Sequence, residues 1–268
     1  MKSNNRPIGI FDSGIGGLTV LKELQTQLPD ESFIYIGDTA HLPYGNKSPK
    51  TIINCSQSIC QYLLSQDVKL IIIACNTASS LALNFIKQTV NIPVIDVITP
   101  VHHLIMKNVQ LRRVGIIGTY NTIQSNAYCK VLVNSNNKLK VFQQACPLFV
   151  PLIEEGLQND LIAHLAIKKY LINLINKNIE LLVLGCTHYP LMKKSIQENI
   201  PTSIQILDSA QATADYLTYY LTAHTLLSSK KTNNNRIIIT DKTENFKSLA
   251  KIILNNRRIN LEILNITS

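Results

Sequence analysis

Long apolar runs are absent from this sequence of 268 residues. The longest ones, such as 70–74 and 181–184, are far shorter than the roughly 20 residues that a transmembrane helix needs. Residues 1–7 are polar and lack the basic and then apolar order of a secretory signal peptide. We therefore expect a cytoplasmic protein with no membrane partner.

Charge is also scarce, since only 16% of the residues are charged. The net charge of +9 comes from a modest excess of Lys and Arg that is densest between Lys230 and Arg258. That segment lacks the interleaved series of aromatic residues on which nucleic-acid bases stack. We expect no nucleic-acid partner, and a weakly anionic small molecule fits the charge better.

The six cysteines never form a CxxC pair or a Cys/His cluster with zinc spacing. Without an export signal they are expected to be reduced thiols rather than disulfides. The glycine loop 14–17 lacks the third glycine of the dinucleotide fingerprint and the lysine of a P-loop. The sequence thus predicts neither a structural metal nor a nucleotide site.

Short β-branched runs alternate with longer amphipathic stretches along most of the chain. This pattern is typical of an α/β fold with a mostly parallel sheet. Strands are expected near 8–11, 33–36, 70–74, 94–96, 114–117, 140–144, 181–184 and 205–207. Helices are expected, among others, at 48–65, 78–89, 160–176 and 210–221.

The second part of the chain repeats the first. Residues 8–13 resemble 114–119, residues 92–96 resemble 204–208, and the similar segments around Cys75 and Cys186 place those cysteines 111 residues apart. Three matches in the same order at nearly one offset predict two similar α/β lobes, related by a pseudo-twofold axis, with the active site in the cleft between them. Residues 1–98 with 209–268 would form the first lobe, and 99–208 the second.

Cys75 and Cys186 follow equivalent strands of this repeat, where parallel α/β sheets bind their ligands. A helix N-terminus after each strand would favour the thiolate. Asn76 or Thr77 can cap the first of these helices, and Pro190 suits the first turn of the second. A single cysteine there is more often a buried hydrophobe, but two at matching points indicate chemistry.

Two matched thiols can remove a proton from one face of a carbon and deliver another to the opposite face. Such a reaction at a weakly acidic Cα–H also needs donors for the carboxylate, which Ser13, Thr77 and Thr187 could supply. Asp12 and His188 are candidate assistants, although Asp12 could equally cap a helix and His188 could be a turn residue. The pair Glu154–Glu155 follows an apolar stretch, and the residues alone do not choose between the two glutamates.

Six segments carry a resemblance to a known family. They are Gly9–Leu18, Gly37–Gly45, Ala74–Ala78, Phe149–Gly156, Leu184–Pro190 and Leu207–Ser209. In this order they resemble the glutamate racemases of bacterial cell-wall synthesis.

The resemblance implies that Cys75 and Cys186 exchange protons with the substrate, one for each enantiomer. It also implies that Asp12 supports Cys75, while Glu155 and His188 support Cys186. The implied substrate contacts are Asp12, Ser13, Tyr44, Gly45, Asn76, Thr77, Thr187 and His188. Members use no pyridoxal phosphate or metal, usually form homodimers, and make D-glutamate for peptidoglycan precursors.

Three alternatives stay open. The first is a sister racemase that acts on aspartate with the same two cysteines. The second is a non-catalytic binding module that has kept the fold, although both cysteines are present. The third is a thioester-forming hydrolase that uses Cys186 and His188, which would leave Cys75 without a role.

Overall fold

The computed structural model describes residues 5–230, 234–242, 246–255 and 261–265. The basic residues Lys231, Arg257 and Arg258 lie outside these ranges. The strands are β1 (Ile8–Asp12), β2 (Phe33–Gly37), β3 (Leu70–Ile73), β4 (Val94–Asp96), β5 (Arg113–Gly118), β6 (Lys140–Ala145), β7 (Leu181–Gly185), β8 (Gln205–Asp208), β9 (Arg236–Ile239) and β10 (Leu261–Ile263). The helices are α1 (Leu18–Gln27), α2 (Pro49–Ser65), α3 (Asn76–Leu81), α4 (Leu83–Thr89), α5 (Ile98–Lys107), α6 (Tyr120–Gln124), α7 (Ala127–Ser135), α8 (Phe149–Glu154), α9 (Leu161–Ile175), α10 (Lys193–Glu198), α11 (Ser209–Ala223) and α12 (Phe246–Ile253).

The strands form two parallel sheets. The first has the order β10-β9-β2-β1-β3-β4 and the second the order β6-β5-β7-β8. The four strands β2-β1-β3-β4 of the first sheet and the four strands of the second therefore share one connectivity. The predicted α/β fold with two sets of mostly parallel strands is confirmed, and the shared strand order agrees with the internal repeat.

Burial explains why the strands read as continuous apolar runs. All residues of β1, β3 and β7 are buried, since helices cover both faces of each sheet. All eight predicted strands are present, with ends that differ by one residue at most. β9 and β10, which extend the first sheet beyond β2, were not predicted, because they lie after Asp208, where the internal repeat offers no matching segment.

The limits of the helices agree less well with the sequence prediction than those of the strands. Helix α2 begins as expected, with Ser48 accepting a hydrogen bond from the N–H of Thr51 and Pro49 in the first turn. The single helix expected at 78–89 is wrong, because the chain breaks at Ala82 into α3 and α4. No helix in the described parts of the chain is both long and apolar enough to cross a membrane.

The segment after Asp208 packs on both lobes. In helix α11, Leu217 belongs to the core around β1, whereas Ala212 packs in the cluster that contains Val114 and Ile116. The helix also contacts α1 and α5. The lobe limits at 98/99 and 208/209 therefore stay a prediction.

A buried ion pair fastens the end of this segment to the first lobe. Lys69 Nζ donates to Glu31 Oε2 over 2.6 Å and to the carbonyl of Leu226 over 2.8 Å, and Glu31 Oε1 accepts from the N–H of Ser228. The two charged side chains are only 1% and 2% exposed. Each charge depends on the other, because a buried charge without its counter-ion is strongly destabilising.

We therefore expect Glu31→Ala to lower the free energy of unfolding by about 3–5 kcal/mol, measured by urea denaturation. The control is Asp67→Asn, which breaks the exposed pair between Arg6 and Asp67 and should cost less than about 1 kcal/mol. Asn suits the positive φ of position 67. Equal losses in the two variants would contradict this ranking.

Candidate active site

A cavity of about 360 Å³ lies where the carboxyl ends of both sheets meet. Both cysteines line it, Cys75 after β3 and Cys186 after β7. The other lining residues that the sequence singled out are Ser13, Tyr44, Gly45, Asn76, Thr77, Thr187 and His188. Asp12 is fully buried beside the cavity and does not line it.

Cys75 is the N-cap of helix α3. Its Sγ accepts from the N–H of Ala78 over 3.5 Å, and its thiol donates to Ser13 Oγ over 3.7 Å. The expectation that Asn76 or Thr77 caps this helix is wrong, because both are already inside its first turn. Burial, followed by the charge of Asp12, raises the pKa of Cys75 to about 12 and outweighs the helix N-terminus.

Cys186 has a different neighbour. Its Sγ lies 4.0 Å from His188 Nδ1, and His188 Nε2 is hydrogen bonded to Glu154 Oε1 at 3.0 Å. Burial alone would lower the pKa of His188, but the contacts with Cys186 and Glu154 raise it to about 10. At neutral pH an imidazolium therefore stands beside Cys186. Pro190 lies in the first turn of a 3₁₀ helix, Tyr189–Met192, as expected.

The resemblance implied that Glu155 supports Cys186 together with His188, but the glutamate that contacts His188 is Glu154. Glu154 is the last residue of helix α8 and lines the cavity. Glu155 follows the helix end and is exposed to solvent. Successive helical residues point about 100° apart, so only one of two adjacent glutamates can face His188.

Asp12 joins the two lobes electrostatically. Its carboxylate accepts from the N–H of Gly14 over 3.0 Å and from the hydroxyl of Thr187 over 3.3 Å. Burial raises its pKa, while the charge of His188 and the hydrogen bonds act in the opposite direction. Its effect on Cys75 is through charge, since its hydrogen bonds go elsewhere among the described residues.

Asn76 and Thr77 also reach across the cleft. Asn76 Nδ2 donates to the hydroxyl of Tyr128 over 2.7 Å, and Thr77 Oγ1 lies 2.9 Å from Thr119 Oγ1. The Oδ1 atom of Asn76 is buried and finds no donor within the described chain. It is therefore available to accept a hydrogen bond from a ligand.

A cluster of potential metal ligands lies behind Tyr44. Ligand atoms of Asp38, His41 and Cys55 lie within 4.8 Å of one another. The Asp38 carboxylate, however, already accepts from the hydroxyls of Tyr44 and Thr240 and pairs with His41 Nδ1. These hydrogen bonds satisfy the carboxylate without an ion, and they fix the Tyr44 side chain.

Several cavity residues were missed as site residues. They are Leu42, Pro43, Asn46, Thr119, Tyr120, Cys146, Pro147, Val150 and Pro151. The internal repeat held the signal for Thr119, which corresponds to Ser13 at the offset that aligns β1 with β5. No such signal pointed to Tyr120 or Cys146.

Comparison with known proteins identifies the family. The family model of the Asp/Glu/hydantoin racemases matches residues 8–217. The chain belongs to the Asp/Glu/hydantoin racemase family.

A curated glutamate racemase of Geobacter metallireducens is 46% identical over 88% of each chain. The crystal structure of the Francisella tularensis glutamate racemase in complex with D-glutamate is 41% identical over 98% of each chain, with a TM-score of 0.92. The Bacillus anthracis isoform RacE1 superposes with a TM-score of 0.94 at 33% identity.

The contact between His188 and Glu154 predicts a selective change in this racemase. Glu154→Gln should lower the pKa of His188 from about 10 by about one unit, because it removes a negative charge that stabilises the imidazolium. The imidazole proton shifts in an NMR pH titration report this value. Glu155→Gln is the matched control and should leave the titration unchanged; the reverse order would restore Glu155 as the supporting residue.

Gly16 is expected to be essential for closure of the racemase cleft. A Cβ atom at this position would lie 2.4 Å from both His188 Nδ1 and Thr187 Oγ1 in the opposite lobe. Gly16→Ala should therefore push the lobes apart and lower kcat/KM about 100-fold without loss of the fold. Gly156→Asn is the control, since no atom lies near a Cβ there and Asn tolerates its positive φ. A Gly16→Ala enzyme with normal kcat/KM would show that the closed cleft is not required.

Proposed function

We propose that this protein racemises glutamate with Cys75 and Cys186 as its two acid/base groups. One observation carries the proposal: thiols from equivalent strand ends of two sheets line the same cavity. A thioester hydrolase would use only one of them. A binding module would have no use for the imidazolium that faces Cys186.

The reaction balances with these two groups alone. The thiolate of one cysteine takes the α-proton from one face of the substrate, and the thiol of the other gives its proton to the opposite face. The net result is inversion at Cα and an exchange of protonation state between the two sulfurs. Because the proton comes from one side chain and goes to another, the proposed mechanism needs no cofactor.

The charged groups beside the two sulfurs suit a first proton transfer to Cys186. The carboxylate of Asp12 disfavours a negative charge at Cys75, whose pKa is raised to about 12. The imidazolium of His188 favours a negative charge at Cys186. A thiol beside a carboxylate and a second sulfur beside an imidazolium thus face the cavity, and binding of the substrate ammonium near Cys75 would help the proton transfer to that sulfur.

The polar groups of the cavity suit an amino dicarboxylic acid. The Oδ1 atom of Asn76, which has no donor among the residues that the structure describes, can accept from the ammonium group. The hydroxyls of Ser13 and Thr77 can donate to the carboxylates, whereas that of Thr187 lines the cavity but already donates to Asp12. The backbone of Tyr44–Gly45 lies on the cavity wall. In this proposal Asp12 and His188 act beside the thiols, and Glu154 takes the role first assigned to Glu155.

Glutamate is proposed over aspartate on the relatives. Curated relatives that are 36–46% identical to this chain are named glutamate racemases. In a cell with a peptidoglycan wall, the D-glutamate would feed cell-wall precursors. We place this activity in the cytoplasm and propose that the protein is a homodimer.

The direct test follows α-proton exchange by NMR in deuterated water with no added cofactor. The wild-type protein should incorporate deuterium into L-glutamate and D-glutamate and interconvert them. Aspartate should react more slowly by roughly 10–200-fold, the usual discrimination for one methylene. Faster turnover of aspartate would reassign the substrate.

The two-base mechanism predicts complementary defects. Cys75→Ser and Cys186→Ser should each lower racemisation by roughly 10²–10⁴-fold. Each variant should retain slow exchange with a different enantiomer, because one base remains on one face. Cys129→Ser, a thiol outside the cavity, is the control and should keep full activity. Wild-type rates in both cavity variants would rule the mechanism out.

A further inference from the structure

The loop that forms one wall of the cavity is hydrogen bonded by a side chain of the opposite lobe. Tyr44, Gly45 and Asn46 line the cavity and follow β2 of the first sheet. Asn121 lies in helix α6, directly after β5 of the second sheet. Its Nδ2 donates to the carbonyl of Tyr44 over 2.9 Å and to the carbonyl of Lys47 over 2.8 Å.

We propose that Asn121 is a positioning residue that latches the 44–47 loop onto the second lobe, so that this wall of the substrate site forms only when the cleft closes. The inference rests on the proposed racemase function, which gives the wall its substrate. Asn121 does not line the cavity and acts through the loop.

The chemistry of the side chain fits this task. A carboxamide nitrogen has two N–H donors, and here each has its own carbonyl acceptor. The loop lies tightly against the same turn of α6, since a Cβ at Gly45 would be 3.0 Å from Thr119 Cβ. Asp38 of the first lobe accepts a hydrogen bond from the hydroxyl of Tyr44, and Asn121 of the second lobe donates to the Tyr44 carbonyl. Tyr44 is therefore held at both ends, by different lobes.

The latch explains how closure and binding would be coupled. When the lobes separate, the Tyr44 and Lys47 carbonyls lose their shared donor. The loop is then held by Asp38 and by its own bond from the N–H of Lys47 to the carbonyl of Tyr44. The Tyr44–Gly45 backbone would meet the substrate in both ground and transition states, so loss of the latch should act mainly on KM.

Two substitutions separate a latch from a space-filling role. Asn121→Asp keeps the shape but places carboxylate oxygens against two carbonyls, whereas Asn121→Ala only removes the donors. A latch predicts that the Asp variant is the more impaired, and a space-filling role predicts the opposite. Gln124→Ala, at an exposed position of the same helix, is the control.

The experiment measures kcat and KM for both glutamate enantiomers and, independently, amide hydrogen exchange of the segment 42–50 by mass spectrometry. We expect KM to rise about 10-fold in Asn121→Ala and further in Asn121→Asp, with a smaller change in kcat. Exchange in the segment should become faster in both variants and remain normal in Gln124→Ala.

Unchanged exchange in the segment, or an Asp variant as good as wild type, would overturn the latch. A wild-type protein that does not racemise glutamate would instead refute the proposed function. The exchange measurement needs no turnover, so it would still decide whether Asn121 holds the loop.

Discussion

The closed cleft depends on a buried carboxylate that both lobes must satisfy. Asp12 is fully buried, and a buried charge without partners would cost several kcal/mol. Its donors come from the glycine loop of its own lobe and from Thr187 of the other. Separating the lobes therefore removes a donor from a buried charge, which ties the electrostatics of the site to its closure.

The internal repeat duplicates the scaffold but not the electrostatics. Each half supplies a parallel sheet of the same strand order and a cysteine after its third strand. The residues around the two sulfurs then differ, with a carboxylate on one side and an imidazolium on the other. This asymmetry suits a reaction that needs one thiol and one thiolate at the same moment.

The sequence predicts features that depend on local pattern and misses those that depend on orientation. Buried strands of a parallel sheet show continuous apolar runs, so all eight strands of the repeated part were found, whereas β9 and β10 lie in the segment after Asp208 that has no counterpart in the repeat. The repeat located both cysteines. The sequence could not decide between Glu154 and Glu155, because adjacent side chains of a helix point in different directions. Which of the two faces His188 depends on where α8 ends.

The contacts between the lobes are many but individually weak. Thr19 donates to the carbonyl of Thr187, Asn76 to Tyr128, and Thr77 pairs with Thr119. Each such hydrogen bond contributes only about 0.5–1.5 kcal/mol net, because water replaces the partner when the bond breaks. A cleft closed by a few of them can open often enough to admit a small substrate. The closed cleft keeps water from the thiols. The thiol of Cys75, which is buried beside the Asp12 carboxylate, holds its proton until the substrate is bound. The strength of these contacts is therefore a compromise between access to the cavity and exclusion of water from it.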